Sequence, residues 1–365
     1  MTNEMDFNAQ YSHITNLLLE KYARSKPGGN IILSPFSVIM MLGIAAASTA
    51  GETREEIVRA IGGGLSAEEL REVLRGLQKE IGGSGVLTSA NAVCVKEEIR
   101  ASIAEGYEER LAEDFGGKLF ASRDIVGDVN AWVREHTRGM IERIADESMR
   151  EMLACLLNAA SFEAGWQRPY EEWDVGEGEF ANADGSVSEV QMLHSRENTY
   201  IEDEACTGFV KPYRGFAYGF AALLPKEEGE EALQKLLKEA DLSERVRGGQ
   251  FDLVDVTMPE FQGTFGEELT EFCRELGIRT VFTPGADFSP MSDEWLKMDG
   301  VIHKAHIEVD RKGTRAAAAT MGVIVAGAAM PQRVKSVVLD RPFVYAIVHM
   351  KTGLPVFCGV MRRAE

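Results

Sequence analysis

The sequence contains little cysteine, and the spacing of the few cysteines excludes two common kinds of cross-linked site. There are five in 365 residues, an odd number, placed far apart at Cys94, Cys155, Cys206, Cys273 and Cys358. None forms a C-x-x-C pair or another spacing typical of zinc, and a disulfide framework needs a denser set. Four lie in apolar runs, where cysteine packs as a small hydrophobe. We therefore expect neither a metal site nor a disulfide scaffold.

Positive charge is also scarce. The chain has 39 Lys and Arg against 58 Asp and Glu, a formal net charge of −19. Like charge repels nucleic acid and anionic membranes, so we expect neither as a partner. The longest apolar run, around Val38 to Ala47, is too short to span a bilayer. The first residues, Met-Thr-Asn-Glu-Met-Asp, lack the basic and apolar regions of a secretory signal peptide, and we expect none in this chain.

The common catalytic and nucleotide-binding motifs are missing as well. No G-x-G-x-x-G follows a predicted strand, no G-x-x-x-x-G-K-[ST] occurs, and no G-x-S-x-G nucleophile elbow is present. His303-x-x-His306 lies in a predicted strand, where residues three apart point to opposite faces, so the pattern does not predict a metal pair. We expect a protein that is not an enzyme and carries no cofactor.

Apolar periodicity and turn signals predict helices mainly in the first part of the chain and strands mainly in the rest. Ser34-Pro35 predicts the start of an apolar helix from Phe36 to Ser48, and Met152 to Phe162 a strand covered on both faces. Capping boxes predict helix starts at Thr53-x-x-Glu56, Ser66-x-x-Glu69 and Thr264-x-x-Glu267, and apolar stripes predict helices over Ile99 to Leu111 and Ile125 to Ile144. No linker or repeat divides the chain, which predicts one α+β domain.

One segment fits none of these elements. From Asp310 to Pro331 the chain reads DRKGTRAAAATMGVIVAGAAMP, with no charged residue between Arg315 and Arg333. It is too apolar for a solvated linker. Alanine favours a helix, yet Gly313, Gly322 and the β-branched residues from Val323 oppose one. A segment with small side chains that tolerates water, helix and sheet predicts a conformational switch or a bait.

Several stretches together resemble the serpin family, in the expected order and over essentially the whole chain. They are Asn30 to Ser37 (NIILSPFS), Leu157 to Tyr170 (LNAASFEAGWQRPY), His303-Lys-Ala, Asp310-x-Lys-Gly-Thr, Arg341-Pro-Phe and Pro355 to Gly359 (PVFCG). The resemblance implies a single serpin domain over residues 1–365, with about nine helices and three β-sheets around a sheet A of about five strands. It also implies an exposed reactive-centre loop over about residues 313–334.

The family resemblance implies a suicide-substrate inhibitor of serine proteases. The protease cuts the loop and forms an acyl-enzyme, and the cut loop then inserts into sheet A as a new strand. The hinge would be Gly313, Thr314, Arg315, Ala316, Ala317, Ala318, Ala319 and Thr320. Its alternate residues from Thr314 to Gly322 are all small, which suits a face entering a packed sheet. An unbroken alanine hinge favours an inhibitor over the alternative, a non-inhibitory serpin acting as a binding or chaperone protein.

Counting along the loop from Gly313 places the cut bond at Gly327–Ala328, with Ala326–Gly327 and Ala328–Ala329 as alternatives. Small residues surround this bond, so the expected target is an elastase-like or subtilisin-like serine protease, held in a covalent complex. Met330–Pro331 is disfavoured because proteases rarely accept proline after the bond.

Other positions carry over from the family one at a time. Ser34, Ser37, Asn158 and His303 match the shutter beneath the opening sheet, and Trp166 matches the breach, where the loop first enters. The helix after Ser66 mixes acidic and basic residues, so no heparin-type site is expected, and we expect a monomer. The resemblance suggests an extracellular protein, with a cytoplasmic one as the alternative.

Overall fold

The computed structural model describes residues 2–239, 241–314 and 334–364. Within them are nine α-helices: Thr2–Ser25 (α1), Pro35–Ser48 (α2), Gly51–Ile61 (α3), Ala67–Glu80 (α4), Tyr107–Phe115 (α5), Ile125–His136 (α6), Glu230–Glu239 (α7), Leu242–Arg247 (α8) and Thr270–Glu275 (α9). Short 3-10 turns cover Gly82–Ser84, Glu97–Ser102, Glu147–Met149, Glu172–Asp174 and Thr280–Phe282.

Sixteen strands lie in the same described residues. They are Ile31–Leu33 (β1), Leu87–Lys96 (β2), Gly117–Ser122 (β3), Ala154–Phe162 (β4), Ala164–Gly165 (β5), Val175–Ala181 (β6), Val187–Glu202 (β7), Cys206–Pro212 (β8), Tyr218–Pro225 (β9), Gln250–Pro259 (β10), Phe261–Glu268 (β11), Gly300–Asp310 (β12), Gly313–Thr314 (β13), Lys335–Val338 (β14), Phe343–His349 (β15) and Leu354–Met361 (β16).

The chain divides into two compact units. The first comprises Met1–Leu18, Leu33–Phe162 and Thr264–His306. In it the strands run in the order β3, β2, β4, β12, with β11 also paired to β12. β2 is antiparallel to β4, whereas β4 and β12 are parallel. Helix α6 covers this sheet, and its Val129 and Val133 join Leu157 in one buried cluster. Helix α2 is buried on almost every side, as its apolar sequence predicts.

The second unit comprises Leu19–Ile32, Glu163–Gly263 and Ile307–Glu365. Its main sheet follows the order β1, β16, β15, β9, β8, β7, β10, β14, with β6 on β7. The core of this unit is aromatic: Phe220 stacks on Tyr345 at 5.9 Å between ring centroids, and Phe261 lies 5.2 Å from Tyr345. Such ring pairs add to the free energy gained by burying their apolar area.

The described strands form two sheets, where the family resemblance led us to expect three. The reason is strand β7, whose sixteen residues pair with different strands along its length. Its first part pairs with β6, its later part pairs with β10, and its last three residues pair with β8. One long strand therefore joins two groups of strands into a continuous nine-stranded sheet.

Two of the three predicted capping boxes are wrong. Ser66 and Glu69 form a complete box at the start of α4. Thr53 and Glu56 instead lie inside α3, where Thr53 Oγ1 accepts the backbone N–H of Asp287 and the Glu56 carboxylate accepts two backbone N–H groups. Here the residues of a capping-box pattern form hydrogen bonds with a distant part of the chain instead of capping a helix. The local sequence does not encode such tertiary contacts.

The third box, Thr264-x-x-Glu267, lies in strand β11. Pairing with β12 holds it extended, and Thr264 Oγ1 lies 2.8 Å from Nδ1 of His306. The helix predicted from this box begins only at Thr270. Tertiary pairing therefore overrides the local capping signal at this position.

Two predicted helices are shorter than their apolar stripes. The stripe over Ile99 to Leu111 divides into a 3-10 turn and α5, separated at Gly106, whose φ is 73°. The stripe over Ile125 to Ile144 gives a helix only to His136. Beyond it, Arg138 and Gly139 adopt φ of 51° and 79°, the left-handed region that ends helices.

Candidate functional site

The four residues matched to the shutter lie together in the first unit. Strand pairing places His303 directly beside Asn158 on the parallel strands β12 and β4. Ser34 is the N-cap of α2, with its side chain accepting from the backbone N–H of Ser37. All four side chains are buried, and each belongs to one hydrogen-bond network. Buried polar groups need such partners, because an unpaired one costs desolvation free energy.

His303 is the centre of this network, and its partners define its tautomer. The backbone N–H of Ser34 can only donate, and it lies 3.1 Å from Nε2 of His303, so Nε2 accepts. Nδ1 therefore carries the proton and donates to Oδ1 of Asn158 at 2.8 Å. Burial lowers the pKa of His303 to about 3, which keeps the imidazole neutral.

The network continues across the sheet to β2. The amide Nδ2 of Asn158 donates to Oδ1 of Asn91 at 2.8 Å and lies 3.3 Å from Oγ of Ser89. Ser37 Oγ lies 2.9 Å from the same Ser89 hydroxyl. Polar side chains thus connect helix α2 with the three strands β2, β4 and β12. The sequence analysis did not identify Ser89 as a member of this network. A polar residue that faces the buried N-cap of a helix is the signal that could have identified it.

Directly around this network, the strands β4 and β12 are paired with each other. The ladder is parallel and runs from the pair of Gly300 with Cys155 to the pair of His306 with Ser161. No strand separates the two over that range of described residues. A strand running antiparallel to both could form hydrogen bonds with each of them only if this parallel ladder opened.

Trp166, the residue matched to the breach, lies in the second unit beside the turn between β12 and β13. Its indole Nε1–H donates to the carbonyl oxygen of Asp310 at 2.8 Å, and its backbone N–H donates to that of Lys312 at 3.0 Å. The Asp310 carboxylate accepts the N–H groups of Lys312 and Gly313. These bonds fix the sharp turn between β12 and β13, an Asx-type arrangement.

The first two residues of the segment matched to the hinge lie inside a sheet. Gly313 and Thr314 pair antiparallel with the end of β12 on one side and with β5 on the other. A Cβ on Gly313 would lie 2.2 Å from the carbonyl oxygen of Ala164, so only glycine fits at this close approach. Thr314 is fully buried, and its Oγ1 lies 2.5 Å from the hydroxyl of Tyr213.

Behind Trp166 lies a buried ion pair that the sequence analysis missed. Trp166 stacks on Tyr213 at 4.5 Å, and the Lys211 ammonium lies 5.4 Å from the Trp166 ring and 4.3 Å from that of Tyr170. Lys211 Nζ donates to Oε1 of Glu197 at 2.8 Å. A lone lysine within the apolar run of β8 was the available signal, because buried lysine is rare unless it is paired.

The rest of the sequence-predicted site falls elsewhere. Arg315 to Thr320 of the hinge, and Ala326, Gly327, Ala328 and Ala329 around the expected bond, lie outside the described residues. Arg311 is described, and its backbone N–H donates to Oε1 of Glu260 at 2.9 Å. All five cysteines are buried and free in the structure.

No group of three or more His, Cys, Asp or Glu side chains in the described residues is arranged to hold a metal ion. None of the helices described is long and apolar enough to cross a membrane.

Comparison with known proteins identifies the family. Residues 9–363 match the family described as Serpin (serine protease inhibitor). Iripin-2 of Ixodes ricinus is 30% identical over 361 residues, covering 93% of this chain and 89% of the relative. Leukocyte elastase inhibitor of Bos taurus is 29% identical over 356 residues, covering 91% and 93%.

Solved structures agree with this assignment. Tengpin, a thermophilic serpin in its native state, superposes with a TM-score of 0.86 at 30% identity, covering 100% of this chain and 95% of that one. The α+β serpin fold expected from the sequence is thereby confirmed. Since the family match covers nearly the whole chain and the fold superposes on that of the serpin Tengpin, the protein belongs to the serpin family.

Proposed function

We propose that this chain acts as one serpin domain that inhibits a serine protease by the suicide-substrate mechanism. The protease serine Oγ attacks the carbonyl carbon of Gly327 in the loop. The C–N bond to Ala328 breaks, its nitrogen takes a proton and leaves as a new amino terminus, and Gly327 remains as an ester on the protease. Insertion of the hinge into the sheet then moves the protease before water cleaves that ester.

The observation that carries the proposal is the arrangement of strands at the hinge. Gly313 and Thr314 already pair antiparallel with the end of β12 and with β5. β5 follows β4 after a single residue, and β4 and β12 pair with each other. Extending β13 would exchange one parallel ladder for two antiparallel ladders, which gives a net gain of backbone hydrogen bonds.

Burial of Thr314 supports the assignment of faces along the inserted strand. Side chains alternate between faces, so if Thr314 points to the core, Ala316, Ala318 and Thr320 follow it there. All of these are small, as a packed interior requires. The opposite face would receive Arg315 and Ala317, where a charge can reach solvent.

The free energy available from inserting the hinge is of the order needed to drive the rearrangement. About ten inserted residues at roughly 1 kcal/mol per net backbone hydrogen bond yield on the order of 10 kcal/mol before apolar burial is counted. That equals the whole stability of a typical domain, so it is sufficient to drive a large rearrangement.

The target we propose is an elastase-like or subtilisin-like serine protease. The residues around Gly327–Ala328 are small and offer no basic or aromatic anchor, which fits a shallow primary pocket. The bovine relative is a leukocyte elastase inhibitor by name, which supports the same protease class. The complex would be covalent, between one serpin monomer and one protease.

A gel assay tests this function. The protein is incubated with pancreatic elastase or subtilisin, and the mixture is denatured in SDS. We expect a band at the mass of the protease plus the serpin less its C-terminal fragment, together with that released fragment, whose mass corresponds to Ala328 to Glu365. A fragment beginning at Gly327 or Ala329 would move the bond by one residue without changing the mechanism.

Protease treated with a covalent active-site inhibitor is the control, since it has no free serine and must give no such band. Complete cleavage of the loop with fully active protease would contradict the proposal. That outcome would indicate instead a non-inhibitory serpin that serves as a binding or chaperone protein.

A further inference from the structure

A cavity of about 430 Å³ lies between helices of the first unit, and none of the residues matched to the shutter lines it. Helices α2, α4 and α5 form its walls, and Arg54 of α3 and Pro290 complete them. Its volume is within the range of small-molecule sites, which are concave, mainly apolar and provided with a few polar groups. Nothing in the proposed inhibitory mechanism uses it.

Small residues on α2 explain why the helices leave this space. At Gly43 the helices approach each other closely, because a Cβ at this position would lie 2.4 Å from Cδ1 of Leu74 and 3.0 Å from Cε1 of Phe115. One turn further along, α2 presents Ala46 and Ala47, whose methyl groups do not fill the gap. The remaining floor is apolar and is supplied by Ile44, Leu70, Leu74, Leu111 and Phe115.

Arginines line the cavity in a chain whose net charge is −19. Arg71 is committed to Asp114: its Nε donates to Oδ2 at 2.7 Å, and the pair is internally neutral. Arg71 also lies 3.7 Å from Glu68, the other lining carboxylate. Arg54 and Arg110 therefore remain as the cations that are not neutralised by an ion pair with a lining carboxylate.

Both of these arginines keep donors available. Arg54 uses Nε to donate to the carbonyl oxygens of Ala46 and Thr49, and within the described residues its two terminal nitrogens make no hydrogen bond. The pKa of the Asp287 carboxyl is lowered mainly by its hydrogen bonds with Ser289, and the charge of Arg54 adds a smaller effect in the same direction. Arg110 is exposed, and its contacts with carbonyl oxygens are long, 3.4 and 3.5 Å.

We propose that this cavity is a binding site for a small amphipathic monocarboxylate, such as a medium-chain fatty acid. The apolar chain lies on the floor, where burial supplies most of the binding free energy. The carboxylate lies at the rim, where the guanidinium groups of Arg54 and Arg110 donate charge-assisted hydrogen bonds.

Calorimetric titration of the whole protein with sodium decanoate, kept below its micelle concentration, tests the site. We expect saturable binding of one decanoate per chain and much weaker binding of 1-decanol, which has the same chain without the charge. Equal binding of the two compounds, or no saturable binding of decanoate, would overturn the proposal.

Three variants locate the site. Ala47→Phe places a ring in the cavity and should abolish binding. Arg110→Gln removes one exposed rim cation and should weaken binding about tenfold, the loss of roughly one charge-assisted hydrogen bond. Arg59→Gln, an equally exposed arginine on α3 that does not line the cavity, is the matched control and should bind as the parent does.

Circular dichroism and thermal unfolding establish that each variant is folded. Unchanged binding in both Ala47→Phe and Arg110→Gln would place decanoate elsewhere and overturn the assignment. Loss of binding in the Arg59→Gln control would show that overall charge, rather than the cavity, controls binding. Because the readout is calorimetric, the result is independent of whether the chain inhibits a protease.

Discussion

Lys211 and Glu197 form an ion pair of 2.8 Å with both side chains buried, at 2% and 8% exposure. The pair lies beneath Trp166 and Tyr170, and Oε1 of Glu197 also accepts the hydroxyl of Ser195. Burial lowers the pKa of Lys211, and Glu197 opposes this effect. Such a pair contributes little net stability while intact but is costly to break, because one partner is left charged and buried.

The first prediction concerns this pair. Lys211→Met should lower the free energy of unfolding by about 3 kcal/mol, since it leaves the Glu197 carboxylate buried without its cation. The double variant Lys211→Met/Glu197→Gln removes both charges, keeps an acceptor for Ser195, and should recover most of the loss. Urea-unfolding midpoints measure all three proteins.

Arg196 supplies the control, because it neighbours Glu197 in sequence but forms an exposed pair with Asp255. Arg196→Met should cost less than about 1 kcal/mol. If the double variant proved as unstable as Lys211→Met, the loss would come from packing of the lysine stem rather than from an unpaired charge.

The second prediction concerns pH and His303. The unfolded chain gains a proton on this residue below about pH 6.5, whereas the buried imidazole has a pKa of about 3. The unfolded state therefore binds more protons between these values, and stability falls as pH drops through that window. At pH 5 the loss is about 2 kcal/mol. Above pH 6.5 this group adds no pH dependence.

Comparing urea midpoints of the parent and His303→Gln at pH 7 and pH 5 isolates this contribution, because other titrating groups are common to both proteins. The parent should lose more stability than the variant over that range. Nitrogen NMR of labelled histidine checks the cause directly: one imidazole should remain neutral at pH 5, and a fully protonated set would contradict the prediction.

The third prediction rests on the proposed function and tests the inserted face. Ala318→Glu should abolish the SDS-stable protease complex while leaving loop cleavage intact, because the charge would enter the packed interior. Ala317→Glu, one residue earlier, would point to solvent and should retain the complex. Densitometry of complex and cleaved bands measures both. Inhibition by Ala318→Glu as strong as in the parent would mean that the strand does not insert through this face.

The fourth prediction compares two glycines. Gly313→Ala should destabilise the protein by about 1 to 3 kcal/mol, since the new methyl group would overlap the carbonyl oxygen of Ala164 and displace β13. Gly76→Ala, on an exposed position of α4 with nothing within 4 Å of the added Cβ, should stabilise by up to about 1 kcal/mol. Thermal unfolding of the two variants should shift in opposite directions, and equal shifts would show that contact at β13 is not the cause.

Much of the site could be predicted from sequence where local chemistry and family position agree. Ser34 caps α2 because Ser-Pro before an apolar helix is a strong local signal, and the structure has it there. Asn158 and His303 lie side by side although 145 positions separate them, and that neighbourhood followed only from the family resemblance. Periodicity alone gives no long-range partner.

The failures have a common physical cause. Thr264-x-x-Glu267 has the composition of a helix cap, but pairing with β12 keeps it extended. Lys211 and Glu197 are fourteen positions apart and come into contact because of how strands β7 and β8 fold. No local sequence pattern identifies either residue as the partner of the other. Contacts made only after strands assemble are not encoded in any short window.

The parallel ladder between β4 and β12 also has a consequence for the timing of folding. β4 ends at Phe162, and its partner begins only at Gly300, so the ladder closes a long loop and belongs to the slowly formed class of contacts. During synthesis β4 is complete well before β12 leaves the ribosome. The hinge residues Gly313 and Thr314 emerge immediately after β12. If the hinge inserts as proposed, the closed ladder and the inserted hinge therefore compete in a newly made chain, because β12 and the hinge leave the ribosome in immediate succession.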